Sequence, residues 1–257
     1  MISLHDFAFD CQASLYRQLD LTVSEISGTF YGCTGVPHPL LNGVVRCQTS
    51  NSEIEIVVEK ITKHFNDLQL PYSWWVEASE EPSSLETLLE KKGFQLLGNF
   101  VVMTIDITKP LTIPKPNAKI EFITDHATFQ TWGNILSTVF QISTAALSIF
   151  LKLIKKASES GKFSNVLASK DGKGVATGSV ICTEDGAYIC NDCTLEEEQN
   201  KGYGKAVTYK LLEIAKNQGC TRVAVISAPS ESEGYQELGF INQAVLHIYT
   251  EHIPNVI

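Results

Sequence analysis

The sequence has little positive charge and no long hydrophobic run. Its 257 residues include 20 lysines and arginines against 29 aspartates and glutamates, which gives a net charge of −9. A nucleic-acid-binding surface needs a basic stripe to meet the phosphates, so we expect no nucleic acid partner. An apolar stretch of about 20 residues is needed to span a bilayer and none is present, so we expect no membrane segment.

The chain also lacks the marks of a secreted or metal-binding protein. Residues 1–6 contain neither the basic segment nor the start of the apolar stretch typical of a signal peptide. The seven cysteines are odd in number and irregularly spaced, which indicates reduced thiols and predicts a cytoplasmic protein. Cys190 and Cys193 have Cys-x-x-Cys spacing, but they should face opposite sides of a strand and have no second pair or nearby histidine. We therefore expect no metal site.

The most informative segment present is the loop at 199–205, Gln-Asn-Lys-Gly-Tyr-Gly-Lys, which leads into a helical pattern at 206–218. Two glycines two residues apart let backbone N–H groups surround an anion without obstruction by Cβ atoms. The start of the helix adds unpaired donors and a positive dipole end, and Lys201 and Lys205 add charge. Neither the third glycine of a dinucleotide fingerprint nor a Gly-x-x-x-x-Gly-Lys-Ser/Thr motif is present. The loop predicts a diphosphate site.

The segments after this loop follow a defined order. A β-branched strand at 221–227 precedes a short helix at 232–238 and a final strand. This order and two motifs resemble the GCN5-related N-acetyltransferase (GNAT) superfamily over roughly residues 119–251. The matching residues are Gln199, Gly202 and Gly204 of the acyl-coenzyme A motif Gln/Arg-x-x-Gly-x-Gly/Ala, and Tyr235, Leu238, Gly239 and Phe240 of the next motif.

The resemblance implies an α/β (α+β) protein with a mixed, mostly antiparallel central sheet flanked by helices. It also implies acetyl-coenzyme A as cofactor, with the diphosphate on the loop backbone and the pantetheine arm along the strand that ends near Cys193. The cofactor-binding residues that it implies are Cys193, Thr194, Gln199, Asn200, Lys201, Gly202, Tyr203, Gly204, Lys205 and Ala206.

Acetyl transfer to an amine needs a base for the amine and an acid for the leaving thiolate. Tyr235 is the candidate acid, because a phenol can protonate a thiolate. Asp192 or Glu184, near the ends of central strands, could take the amine's proton through water, and we choose Asp192 as the catalytic candidate. The predicted function is N-acetyl transfer to a small-molecule or peptide primary amine by direct attack in a ternary complex. The alternatives are an inactive acyl-coenzyme A sensor and a structural or dimerisation module.

The chain divides near residues 109–117, where three prolines fall within seven residues. We therefore predict two domains, 1–113 and 118–257. The first half repeats the end of the second: a strand at 70–78, a helix from Ser84, Gly93–Phe94, and a strand pair at 96–97 and 101–107. It lacks the glycine loop and a counterpart of Tyr235, so we expect a degenerate GNAT-like half and one cofactor site per chain. Of Trp74 and Trp75, one should be core and the other line a cleft between the halves. The protein should be a monomer or a homodimer.

Overall fold

The computed structural model describes residues 13, 16, 22–79, 83–109, 118–159, 161 and 163–251. The predicted domain boundary between 113 and 118 falls almost entirely outside these residues and stays a prediction. The strands are β1 (Thr22–Ile26), β2 (Thr29–Cys33), β3 (Asn42–Cys47), β4 (Ser73–Glu77), β5 (Gln95–Asp106), β6 (Lys119–Phe122), β7 (Phe163–Lys170), β8 (Lys173–Cys182), β9 (Ala187–Thr194), β10 (Arg222–Ser227) and β11 (Ile241–Thr250). The helices are α1 (Ile54–Leu68), α2 (Ser84–Lys91), α3 (His126–Val139), α4 (Thr144–Ser158), α5 (Tyr203–Asn217) and α6 (Ser232–Glu237).

The described strands form one mixed sheet in the order β1-β2-β3-β4-β11-β5-β10-β9-β8-β7-β6. Two neighbouring pairs are parallel, β3 with β4 and β9 with β10. The remaining neighbours are antiparallel. The predicted fold class, a mixed and mostly antiparallel sheet flanked by helices, is confirmed.

The same run of elements occurs twice along the chain. The first half contains β3-α1-β4-α2-β5, and the second half repeats it as β9-α5-β10-α6-β11. The last strand of each half lies beside strands of the other half: β11 pairs with β4, β5 pairs with β10, and β5 and β11 pair with each other. The predicted tandem arrangement is therefore present, with the two final strands exchanged within one continuous sheet.

The helices form where apolar residues recur at helical spacing. In α1 the residues at intervals of three and four, Ile54, Val57, Ile61 and Phe65, are buried on one side. Helix α2 begins at a capping box, in which the Glu86 N–H donates to Ser83 Oγ (3.2 Å) and the Ser83 N–H donates to Glu86 Oε2 (2.7 Å). The apolar spacing thus determines which side of α1 is buried, and the capping box marks where α2 begins.

Three apolar clusters hold the helices on the sheet. Helices α3 and α4 share one cluster with Tyr188 and Cys193 of β9. Helix α5 and Tyr235 of α6 belong to a second cluster. Helices α1 and α2 pack in a third, which contains the fully buried Trp74. Strand β9 therefore contributes side chains to the first cluster, which contains α3 and α4.

Two expectations for the first half were incomplete or wrong. The strand pair at 96–97 and 101–107 is a single strand, β5, because Gly98 stays in extended pairing opposite Ile248. Strands β1 to β3 were not predicted. None of the described helices is both long and apolar enough to cross a membrane.

Candidate active site

A pocket of about 360 Å³ lies where β9 ends and α5 begins. Most of the site residues implied by the sequence line it together. They are Asp192, Cys193, Thr194, Gln199, Asn200, Gly202, Tyr203, Gly204, Lys205 and Tyr235. Lys201 and Ala206 do not line the pocket, and the Ala206 N–H already donates to the Gly202 carbonyl (3.1 Å). Glu184 lies in the turn between β8 and β9, at the opposite end of β9 from the pocket.

The loop that forms one wall has the shape of an anion cradle. Asn200 (φ 60°) and Gly202 (φ 87°) are both left-handed, which turns the chain into the first residue of α5. A Cβ on Gly202 would meet no atom within 4 Å, and one on Gly204 would lie 3.3 Å from Thr194 Oγ1. The N–H groups of the first helical turn have no intrahelical acceptor. The loop therefore offers backbone donors at an open surface, as an anion requires.

The two lysines of the loop are each held by an acid. Lys201 Nζ lies 3.0 Å from Glu198 Oε2 and donates to the Glu197 carbonyl (2.6 Å). Lys205 Nζ, at the pocket, forms an ion pair with Glu237 at the end of α6. Glu198, the last of three consecutive acids at 196–198, also lines the pocket. An anion that entered the pocket would therefore compete with the Glu237 carboxylate for Lys205.

A bulge in β9 lies beside this pocket. Asn191 is left-handed (φ 55°), and the register with β8 shifts there: Thr177 faces Cys193 while Ser179 faces Cys190. The bulge breaks the alternation of side chains, so Cys190 and Cys193 contact the same apolar cluster. The expectation that they face opposite sides was therefore wrong. No group of three or more possible metal ligands occurs among the described residues.

Asp192 is a carboxyl group with an unusual environment. Burial, and to a lesser extent the nearby Glu231 carboxylate, together raise its pKa to about 7. Burial also raises the pKa of Glu231 itself. Glu231 ends the short helical turn Pro229–Glu231 and lines the same pocket. It was not among the predicted residues, and no motif in the sequence marks it.

Tyr235 is buried and lines the pocket. Its ring packs edge-on against Phe240, with 5.3 Å between centroids. Within the part of the chain that the structure describes, no side chain or backbone group hydrogen-bonds to its hydroxyl. The hydroxyl is therefore free to donate to a group in the pocket.

The cysteines beside the site are protonated at neutral pH. Burial raises the pKa of Cys193 to about 12, although the Thr177 hydroxyl lies 3.2 Å from its Sγ. Burial also raises the pKa of Cys190. Since the thiolate is the nucleophilic form, neither thiol is prepared for covalent chemistry.

Comparison with known proteins agrees with this arrangement. Residues 131–240 match the model of the acetyltransferase (GNAT) family. No curated protein matches the sequence. Among solved structures, a GCN5-related N-acetyltransferase from Kribbella flavida is 16% identical with a TM-score of 0.70, over 99% of this chain and 97% of that one. A GCN5-related N-acetyltransferase from Sphaerobacter thermophilus is 12% identical with a TM-score of 0.66, over 100% and 95%.

A tandem GNAT protein from the clavulanic acid biosynthesis pathway is 10% identical with a TM-score of 0.59, over 100% of this chain and 98% of that one. At these identities the likeness shows the fold. The family match identifies residues 131–240 as a GNAT acetyltransferase domain. The whole chain has a tandem GNAT architecture.

Proposed function

We propose that the protein transfers an acetyl group from acetyl-coenzyme A to a primary amine by direct attack in a ternary complex. The observation that carries the proposal is the convergence, in one pocket, of the glycine cradle, the Asp192 carboxyl and the unpaired Tyr235 hydroxyl. A pKa of about 7 suits a general base, because such a group is partly ionised at neutral pH and still basic.

Each group has a distinct task in this scheme. The backbone N–H groups at the start of α5, with Lys205, bind the diphosphate of the coenzyme. The coenzyme supplies a thioester as the acetyl donor. With the coenzyme bound, Asp192 would accept a proton from the amine, directly or through water, so that the amine nitrogen could bond to the thioester carbon. Tyr235 would donate a proton to the sulfur as the carbon–sulfur bond broke, so that coenzyme A would leave as a thiol.

Direct attack is favoured over transfer through an acyl-enzyme. The cysteines that line or adjoin the pocket have raised pKa values and remain thiols at neutral pH. The acidic groups that surround the pocket, Glu198, Glu231 and Glu233, favour the approach of a cationic amine. The cytoplasmic location of the protein remains a prediction from the sequence, and so does its state as a monomer or homodimer.

The test combines calorimetry with acetyl-coenzyme A and turnover on a panel of amines. Tyr235→Phe should lower kcat by about 100-fold, the contribution of a general acid, and leave the Kd for acetyl-coenzyme A unchanged. Tyr209→Phe, on α5 and outside the pocket lining, is the matched control and should change neither. An unchanged kcat in Tyr235→Phe would remove Tyr235 from the mechanism.

A second variant tests the cradle. Gly204→Val places a branched side chain against Thr194 without requiring a left-handed backbone, so it should abolish acetyl-coenzyme A binding at an unchanged Tm. If the unsubstituted protein bound acetyl-coenzyme A but acetylated no amine of the panel, it would be an acyl-coenzyme A sensor. If the unsubstituted protein did not bind acetyl-coenzyme A, the proposed function would be refuted.

A further inference from the structure

A second cavity, of about 130 Å³, lies between the two halves of the chain. The first half contributes Thr34 and Trp75 to its lining, and helix α4 contributes Phe150 and Leu153. Tyr188 comes from β9. The described lining residues carry no formal charge. The predicted cleft tryptophan is therefore Trp75, and the space that it borders is mainly apolar.

Consecutive residues of β9 around its bulge line this cavity and the pocket at the start of α5. Cys190 and Asn191 line the cavity, and the next three residues along the strand line the pocket. The cavity lies against α4, whereas the pocket lies against the start of α5. Asp192, the proposed base, is therefore adjacent in sequence to a residue of the cavity wall.

Asn191 carries an unused hydrogen-bond acceptor at this junction. Its Nδ2 donates to Ser179 Oγ (3.1 Å), and Ser179 Oγ donates to Asn165 Oδ1 (2.6 Å). The chain continues from Asn165 Nδ2 to Ser158 Oγ (2.8 Å). These bonds orient the Asn191 amide, and no donor among the described residues reaches its Oδ1.

Two other polar side chains of the lining, Thr34 and Trp75, are already hydrogen-bonded within the protein. The Thr34 hydroxyl donates to Asn42 Oδ1 (3.0 Å) and accepts from the Val36 N–H (3.0 Å). Trp75 Nε1 donates to Ser73 Oγ (2.9 Å), which fixes the indole beside the cavity. A ligand group that needs several hydrogen bonds or a counter-ion would find few partners here and would lose its hydration.

We propose that the cavity binds an apolar group of the acceptor amine, about the size of a phenyl ring, and that Asn191 Oδ1 accepts an N–H of the amine. The inference rests on the proposed function. An apolar cavity of about 150 Å³ accepts benzene, so the volume here suits one ring or a short branched chain. Polyamines and amino sugars fit poorly because their distal charges or hydroxyls would be left unpaired.

The first experiment measures binding of 2-phenylethylamine by calorimetry, with and without coenzyme A, against spermidine and glucosamine. We expect 2-phenylethylamine to bind at least about 10-fold more tightly than the other two, the discrimination of a few apolar carbons. Leu153→Trp fills the cavity and should weaken that binding by about 10-fold or more. Ile149→Trp, on the exposed face of the same helix, is the matched control and should not.

The second experiment tests Asn191. Asn191→Gly removes the amide and keeps the left-handed backbone that φ 55° requires. It should raise the KM for 2-phenylethylamine by about 10-fold, the loss of one hydrogen bond to a charged group, with the Kd for acetyl-coenzyme A unchanged.

Several results would overturn the inference. One is equal or tighter binding of spermidine or glucosamine, and another is unchanged amine binding in Leu153→Trp. A third is a Leu153→Trp variant that is impaired only in binding or using butyryl- or hexanoyl-coenzyme A. That result would assign the cavity to the acyl chain of the donor. Because amine binding is measured directly, these outcomes are distinct from failure of the proposed function, which would appear as loss of acetyl-coenzyme A binding or turnover.

Discussion

At the scale of single residues, the proposed chemistry depends on the carboxyl pair Asp192 and Glu231. Partial burial makes ionisation costly for both, and the first charge to form disfavours the second. A raised carboxyl pKa also carries a cost in stability: the folded state binds a proton that the unfolded chain releases. The free energy of unfolding therefore falls as the pH rises from about 4 to about 7. At Asp192, the raised pKa that suits the proposed base therefore lowers the stability of the fold at neutral pH.

We predict that kcat/KM rises with pH through an apparent pKa of about 7, as Asp192 becomes able to accept a proton. Glu231→Gln should lower this apparent pKa, because it removes the like charge. Asp192→Asn should abolish proton transfer from the amine to residue 192. It should also raise the Tm above that of the wild type, and by more at pH 8 than at pH 5, because the cost of ionising Asp192 is present only at the higher pH. A pH profile unchanged by Asp192→Asn would assign the base to another group.

At the scale of elements, the pocket depends on how α5 and α6 are joined. The Lys205–Glu237 ion pair links the first turn of α5 to the end of α6, across the site where the diphosphate is proposed to bind. The pair is partly exposed and contributes little to stability. Its main effect is on the charge that the cradle presents to an anion.

We predict that Glu237→Gln tightens acetyl-coenzyme A binding and that Lys205→Ala weakens it, each by a few-fold, as measured by calorimetry. Lys201→Ala should have less effect because Lys201 lies outside the pocket lining. Glu213→Gln, which releases Lys210 on the same helix, is the control for a general change of charge. Equal effects of Glu237→Gln and Glu213→Gln would show that only net charge matters.

At the scale of the whole molecule, the exchanged strands join the halves. β5 is the partner of both β10 and β11, and β11 also pairs with β4. Neither half therefore has a complete sheet by itself. The degenerate first half supplies a strand to the sheet that carries the proposed coenzyme pocket, as well as a wall of the second cavity.

We predict that a protease site inserted between residues 113 and 118 can be cut without separating the halves. The two fragments should co-elute on gel filtration and part only in denaturant, because backbone pairing along β5 and β11 holds them. Residues 118–257 expressed alone should aggregate, since β10 and β11 would lack β5. Fragments that separate in native buffer would contradict this account.

The sequence predicted where helices and strands lie along the chain better than it predicted which strands pair with each other. The helices predicted at 206–218 and 232–238 and the strand predicted at 221–227 agree with α5, α6 and β10 to within a few residues. The exchange of β5 and β11 was not predicted, because the apolar pattern of a strand does not depend on which strand lies beside it. The Asp192–Glu231 proximity and the bulge at Asn191 were missed for a related reason: both arise from tertiary packing across distant segments.

The strand exchange also has a consequence for how the chain folds during synthesis. As β4 and β5 leave the ribosome they lack their later partners. Until residues 222–250 follow, β4 has one unpaired edge and β5 has two. Contacts of such long sequence separation form slowly, and open strand edges invite association with other chains. We therefore expect a late, rate-limiting step in which β10 and β11 join the sheet, and a need for chaperones until that step is complete.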